Sequence, residues 1–198
     1  MIQLFLVLVA LLQAPPPPKP VVVVFETELG AITMEVDVAK APITAANFLK
    51  YVDGKFYDGG IINRSVRKDN TVRHDVEIEV IQFQSDPERR REMFPAIPME
   101  RTSVTGLTHV NGALSMARST SPDSATSSFS IMIGDQHSLD FGGARNADGQ
   151  GFAVFGKVVS GMDVVKKIHQ SKTSQTLTTG YRTETLDPPI KIISAKRK

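Results

Sequence analysis

Asn111-Gly-Ala-Leu-Ser-Met-Ala-Arg118 is followed by Ser124-Ala-Thr-Ser-Ser-Phe-Ser-Ile131 and then by Gly151-Phe-Ala-Val-Phe-Gly-Lys-Val158. The middle segment alternates. Phe129, Ile131 and Ile133 fall on one side of an extended chain and Ser128, Ser130 and Met132 on the other, the period of a strand with one buried face. Outward from there the chain reads mainly as short strands separated by Gly, Asn, Asp and Pro clusters, which is the pattern of a closed antiparallel barrel.

Toward the N-terminus, Val21 to Phe25 is a β-branched run. Ile32, Met34, Val36 and Val38 alternate with polar residues, and Glu28-Leu-Gly30 lies between as a turn, so the two runs form a hairpin. From Pro42 the period changes to that of a helix over about residues 43 to 53, closed by Gly54. A second helix is expected with Ser160 as N-cap, a stripe of Met162, Val164, Val165 and Ile168, and Lys166 and Lys167 near its negative end. A strand is expected over Val76 to Gln82 and another around Ile190 and Ile192. No internal repeat occurs.

The words Gly-x-Leu-Ser-Met-Ala, Ala-Thr-Ser-x-Phe, Leu139-Asp140-Phe141 and Val-Phe-Gly-Lys-Val, in this order, resemble the cyclophilin family of peptidyl-prolyl isomerases, of the bacterial, exported type. Ala41-Pro-Ile-Thr-Ala-Ala-Asn-Phe48 and Phe56-Tyr-Asp-Gly-Gly-Ile-Ile-Asn-Arg64 extend the resemblance upstream, so it covers roughly residues 21 to 198. It implies a closed eight-stranded antiparallel barrel with a helix over each open end. It also implies prolyl cis-trans isomerisation without cofactor or metal, on proline-containing segments of unfolded or exported proteins.

Isomerising an Xaa-Pro bond needs no nucleophile. The barrier of ~20 kcal/mol is amide resonance, and a catalyst lowers it by holding the ring in an apolar slot while donating a hydrogen bond to the twisted amide. An arginine suits that task because it stays cationic and offers several donors in a planar fork. By resemblance the residue is Arg64, and Gln82 helps fix the guanidinium and the substrate carbonyl. The other reading, a surface arginine in a basic neighbourhood with Arg67 and Lys68, rests on composition alone.

Carried over one by one, the family's substrate-binding positions fall on Val80, Ala117, Arg118, Ser128, Ser130, Ser138, Leu139 and Phe152. Several depart from the family pattern. Val80 replaces a methionine, Ser128 a glutamine, Ser130 the phenylalanine floor of the slot, and Ser138 a tryptophan or phenylalanine. Glu79 takes the place of a further aromatic, and Phe83 and Gln84 stand where two glycines are expected. A charged insertion, Arg67-Lys-Asp-Asn-Thr-Val-Arg-His74, follows Arg64. Exchanging an aromatic floor for Ser removes roughly 1.5 to 3 kcal/mol of apolar contact. The slot-facing side is therefore expected to be polar and the isomerase weak. The alternative is a non-catalytic peptide-binding or chaperone module on the same barrel.

Ile2 to Leu12 is apolar but for Gln3, and Pro15 to Pro18 follow. The run is too short to span a bilayer and reads as a secretory signal over residues 1–14, with a Pro-rich linker at 15–20 and the folded domain at 21–198. The protein is accordingly expected in the periplasm or secreted, with no stable membrane insertion after export, as a monomer. The chain has no cysteine, which excludes disulfides and lipid attachment at a lipobox. A net charge of +2, from 23 basic and 21 acidic residues, gives no field that would seek nucleic acid. Lys196-Arg197-Lys198 reads as a solvated tail. His74, His109, His137 and His169 are scattered, which argues against a metal site, and no Gly-x-Ser-x-Gly elbow marks a hydrolase.

Overall fold

The computed structural model describes residues 16–174 and 181–198. The expected signal, 1–14, lies outside the described residues. Strands β1 (Val21–Thr27), β2 (Gly30–Val36), β3 (Ile61–Val66), β4 (Val80–Gln84), β5 (Ala113–Met116), β6 (Phe129–Met132), β7 (Val154–Ser160) and β8 (Thr185–Arg197) close into one barrel in the order β1-β2-β7-β5-β6-β4-β3-β8. Every pairing is antiparallel.

The hairpin forms as its alternation demands. Val23, Phe25 and Thr27 face inward from β1, and Ile32, Met34 and Val36 from β2, in the register Val21↔Val36 to Thr27↔Gly30. Inside, Phe25, Phe48, Tyr57, Phe83, Phe129 and Phe155 form one aromatic cluster, with Phe83 stacked on Phe129 at 4.6 Å and Phe25 edge-on to both. Such pairs add ~0.5–1.5 kcal/mol each to the area they bury.

Helix α1 (Pro42–Asp53) covers one end, burying Phe48, Leu49, Tyr51 and Val52. Ala41 supplies no side-chain cap. Glu100, far along the chain, caps the helix instead: its carboxylate accepts from the Ile43 and Thr44 amides at 3.1 and 2.7 Å and from the Thr44 hydroxyl at 2.7 Å, so a negative charge sits at the positive end of the helix. A single turn, α2 (Thr102–Thr105), follows Glu100. Helix α3 (Met162–His169) closes the other end through Val165 and Ile168. Its N-cap is Gly161, not Ser160, which is the last residue of β7. Gly161 has φ 89°, and a Cβ there would come within 2.4 Å of the Ala31 carbonyl oxygen, so only glycine fits.

Two further expectations are corrected. Val76 to Glu79 are not strand, and the pairing that starts at Val80 runs on to Gln84. Phe83 turns into the core, and with Phe83 and Gln84 in place of two glycines β4 still pairs with β3 through Gln84 and with β6 through Phe83. The basic C-terminus is no free tail: Arg197 pairs with Val23 in β1 and its guanidinium binds the Asp53 carboxylate at 2.8 and 2.5 Å.

Candidate active site

A bulge decides where Arg64 points. Ile62 lies inside the barrel, and by strict alternation Arg64 would follow it inward. The register of β3 shifts between Ile62 and Arg64 against both neighbouring strands. The extra residue, Asn63, reverses the parity, so Ser65 is buried and Arg64 emerges on the outer face. There it heads a row across four adjacent strands: Arg64 opposite Gln82, Gln82 opposite Ser130, Ser130 opposite Ser115. The row beside it is apolar, Val66 opposite Val80 and Val80 opposite Met132.

These rows border a cavity of about 300 Å³. Of the ten expected site residues, Arg64, Val80, Gln82, Ala117, Arg118, Ser130, Leu139 and Phe152 line it. Ser128 and Ser138 do not. Both are half-buried, and their carbonyls hold the Ala117 and Arg145 amides at 2.9 and 3.0 Å. The polar slot is therefore corrected in part. Ser130 is in the wall, but Ile78, Val80, Met116, Met132 and Leu139 supply an apolar lining, and Ile78 rather than Glu79 faces the cavity. Val66, Ile78, Val80, Met132 and Leu139 belong to an apolar cluster outside the barrel core, with Phe152 packed against it.

Arg64 is anchored more firmly than its sequence context indicates. Its Nε and Nη2 donate to one oxygen of Glu184 at 2.8 and 2.5 Å, and its Nη1 to the Gln82 side-chain oxygen at 3.3 Å. Glu184 is wholly buried, and its other oxygen accepts from the Thr71 hydroxyl at 3.1 Å and the Val72 amide at 3.3 Å. The insertion after Arg64 is thus part of the site: Thr71 and Val72 hold the anchor, and Arg73 reaches the cavity wall. Arg67 of the same segment turns away, to Asp69 and the His169 carbonyl.

Arg118 acts through its side chain. Its guanidinium binds the Gly151 carbonyl at 2.8 Å and Asp148 at 2.9 Å and lies 5.0 Å from the Phe152 ring, pinning the loop that carries Phe152. The Ala117 amide is committed to Ser128, so that N–H is not what a peptide strand would meet.

Beneath the slot, Ser115 touches His109 Nε2 at 2.9 Å, and His109 Nδ1 lies 2.6 Å from Asp140. Burial drives the His109 pKa below the usual value, against the opposing pull of Asp140. Burial also acts to raise the Asp140 carboxyl, but hydrogen bonds from His109 and His137 outweigh it and hold the pKa low. The neutral ring therefore gives its Nδ1 proton to Asp140 and accepts from the Ser115 hydroxyl. Ser115 is 3% exposed and fixed in the β5 ladder. Its network ties the loop at residues 137–140 to the barrel. Among the described residues no cluster could hold a metal ion.

Glu184, Arg145, Arg73, Ile78 and Met132 are site residues that sequence reasoning missed. Glu184 meets Arg64 across 120 positions, and no local pattern marks it.

The barrel and its outer-face slot define a fold class, and comparison with known proteins shows the family. The chain matches the model of the family described as "Cyclophilin type peptidyl-prolyl cis-trans isomerase/CLD" over residues 22–197. It is 39% identical over 173 residues to a peptidyl-prolyl cis-trans isomerase of Acinetobacter baylyi, covering 87% of this chain and 83% of that protein. It is 35% identical to peptidyl-prolyl cis-trans isomerase A of Dickeya dadantii, covering 88% and 83%. The structure of a cyclophilin type isomerase from Cryptosporidium parvum shares the fold at 18% identity, with a TM-score of 0.68 over 90% of this chain and 98% of that one. The chain belongs to the cyclophilin-type peptidyl-prolyl cis-trans isomerases.

Proposed function

We propose that this chain isomerises Xaa-Pro bonds of proteins outside the cytoplasm, with Arg64 as the catalytic donor and a turnover reduced by the missing aromatic floor. The observation that carries the catalytic role is the anchoring of Arg64: a guanidinium held by Glu184 and Gln82 in the wall of a partly apolar cavity. In the planar amide the proline nitrogen is conjugated and a poor acceptor. As the bond twists the lone pair returns, and a donor already in place gains a hydrogen bond that exists only near the transition state. Ile78, Val80, Met132 and Leu139 would grip the ring, and Gln82 would hold both the guanidinium and the substrate carbonyl in register.

Ser130 lines the cavity; taken as the floor residue by family position, it offers a proline ring less contact than an aromatic would, and substrate is held less tightly. Export is supported by the apolar run Ile2 to Leu12 and by the exposed residues 16–20, without secondary structure, that lead into β1. In this reading residues 1–14 are removed, 15–20 form a spacer, and 21–198 are the working monomer.

The deciding experiment is cis-to-trans relaxation of Xaa-Pro peptides, measured without a coupling protease, for the protein and for Arg64→Ala. The variant should be destabilised, because Glu184 loses its buried counter-ion, and the fraction that circular dichroism shows to be folded should lose on the order of 10² to 10³ in kcat/KM. An unchanged rate would remove Arg64 from the mechanism. Rates at the uncatalysed value for both, with peptide still bound, would establish the binding-module alternative.

A further inference from the structure

The cavity wall carries more positive charge than catalysis by Arg64 uses. Arg64, Arg73, Arg118 and Arg145 all line it. Among the described residues the first three are paired, with Glu184, Asp75 and Asp148, whereas Arg145 forms no ion pair. Arg145 is 6% exposed. Its Nη1 donates to the Val76 carbonyl at 2.5 Å, and its own carbonyl accepts from Arg73 Nη1 at 2.8 Å. Burial, together with repulsion from Arg73 and Arg64, holds its guanidinium below the usual arginine value, with Glu184 and Asp75 pulling the other way. The group stays protonated at any working pH.

A buried guanidinium without a counter-ion raises the free energy of the empty site, and an arriving anion relieves it. Carboxylates suit the arginine fork well, since two parallel N–H···O bonds can form. The anion must come with something apolar, because Ile78, Val80, Met132 and Leu139 share the cavity. At about 300 Å³ the space is that of a small-ligand site, and Ser130 leaves open the volume that an aromatic floor would fill.

We propose that this slot selects prolyl segments bearing a carboxylate side chain directly beside the proline, read by Arg145 and Arg73. The inference deepens the proposed isomerase function and rests on the same cavity being the peptide site. The insertion after Arg64 then has a second task besides holding Glu184, since it delivers Arg73, and the Val76 carbonyl just beyond it orients Arg145.

The test uses peptide pairs that differ only as Glu against Gln, one pair with the change before the proline and one after it. Isomerisation is read as kcat/KM by exchange NMR and binding as Kd by calorimetry, at about 10 mM and about 1 M salt, where the Debye length falls from ~30 to ~3 Å. One Glu peptide should win over its Gln partner by on the order of tenfold at low salt, the size of a charge-assisted hydrogen bond. The advantage should shrink at high salt. Arg145→Met and Arg73→Gln should each bring the Glu-to-Gln ratio toward one. Because Arg145 also holds the Val76 carbonyl, its variant can fail to fold; Arg73→Gln and the salt series then decide. A ratio near one in the unaltered protein at low salt overturns the proposal, as does a ratio that survives the folded variants. Peptides that bind with the Glu preference but never isomerise would leave the selectivity standing and sink the isomerase reading. Isomerisation without preference would do the reverse.

Discussion

Removing the Glu184 carboxylate tests how far Arg64, the proposed catalytic donor, depends on its anchor. That carboxylate is fully buried and accepts four hydrogen bonds: two from Arg64, at 2.8 and 2.5 Å, one from Thr71 and one from the Val72 amide. In Glu184→Ala the two charge-assisted bonds are lost, at a net ~1.5–3 kcal/mol each, and the Thr71 hydroxyl and Val72 amide lose their acceptor. Breaking a buried ion pair costs ~3–5 kcal/mol in all. The Arg64 side chain is 23% exposed and regains some water, so the lower end, ~3 kcal/mol, is expected. With a urea slope of ~1–3 kcal/mol per molar, the midpoint should fall by ~1–3 M in a far-ultraviolet circular dichroism titration. In the surviving folded fraction Arg64 keeps Gln82 but loses its fixed fork, and kcat should drop by ~10- to 100-fold, with KM moving much less because the cavity wall stays. A midpoint within ~0.3 M of the parent together with intact kcat would refute the claim that Glu184 positions Arg64.

Ser130→Phe should restore a floor to the slot and raise kcat/KM toward Xaa-Pro peptides by roughly tenfold to a hundredfold, from ~1.5–3 kcal/mol of ring contact; the gain should vanish when Arg64→Ala is added, and a folded variant with no gain in rate or binding would show that Ser130 is not the floor. Two buried histidines set an acid limit. Burial lowers the pKa of His109 and of His169, so below about pH 6.5 the unfolded chain takes up protons that the folded one refuses, and stability falls with pH until each folded pKa is passed. Unfolding free energies from urea titrations at pH 7.5 and about pH 5.5 should differ by up to ~1.4 kcal/mol per pH unit per histidine, His109→Gln should flatten part of that slope, and a profile level through this range would contradict a neutral ring beneath Ser115.

The barrel was legible because its signals are local. Alternation in Val21 to Val36 and in Phe129 to Ile133, together with the change of period at Pro42, reports which face of each element is dry. Arg64, Gln82, Ser130, Leu139 and Phe152 were found through family words rather than periodicity. The misses share a cause. The bulge at Asn63 changes no composition yet reverses which way Arg64 faces. Glu184, Arg145 and Glu100 act on groups 56 to 120 positions away, across loops whose paths no short pattern encodes. Ser138 shows the opposite error: alignment placed its side chain in the slot, whereas the loop uses its carbonyl to hold Arg145.

The seam between β1 and β8 has a consequence for how the molecule is made. Val23 pairs with Arg197 and the Lys198 amide binds the Val22 carbonyl, so β1 finds one of its two partners only in β8, the eighth strand in sequence order. A ribosome adds ~5–20 residues each second, and throughout that time β1 has only β2 beside it. Until β8 emerges, one edge of the sheet is unzipped. Contacts of such long separation are reached slowly. A barrel whose closing strand is the eighth to be made keeps its first hairpin half-paired through most of its synthesis, and that open edge is where a nascent chain of this fold is most exposed to pairing with a neighbour.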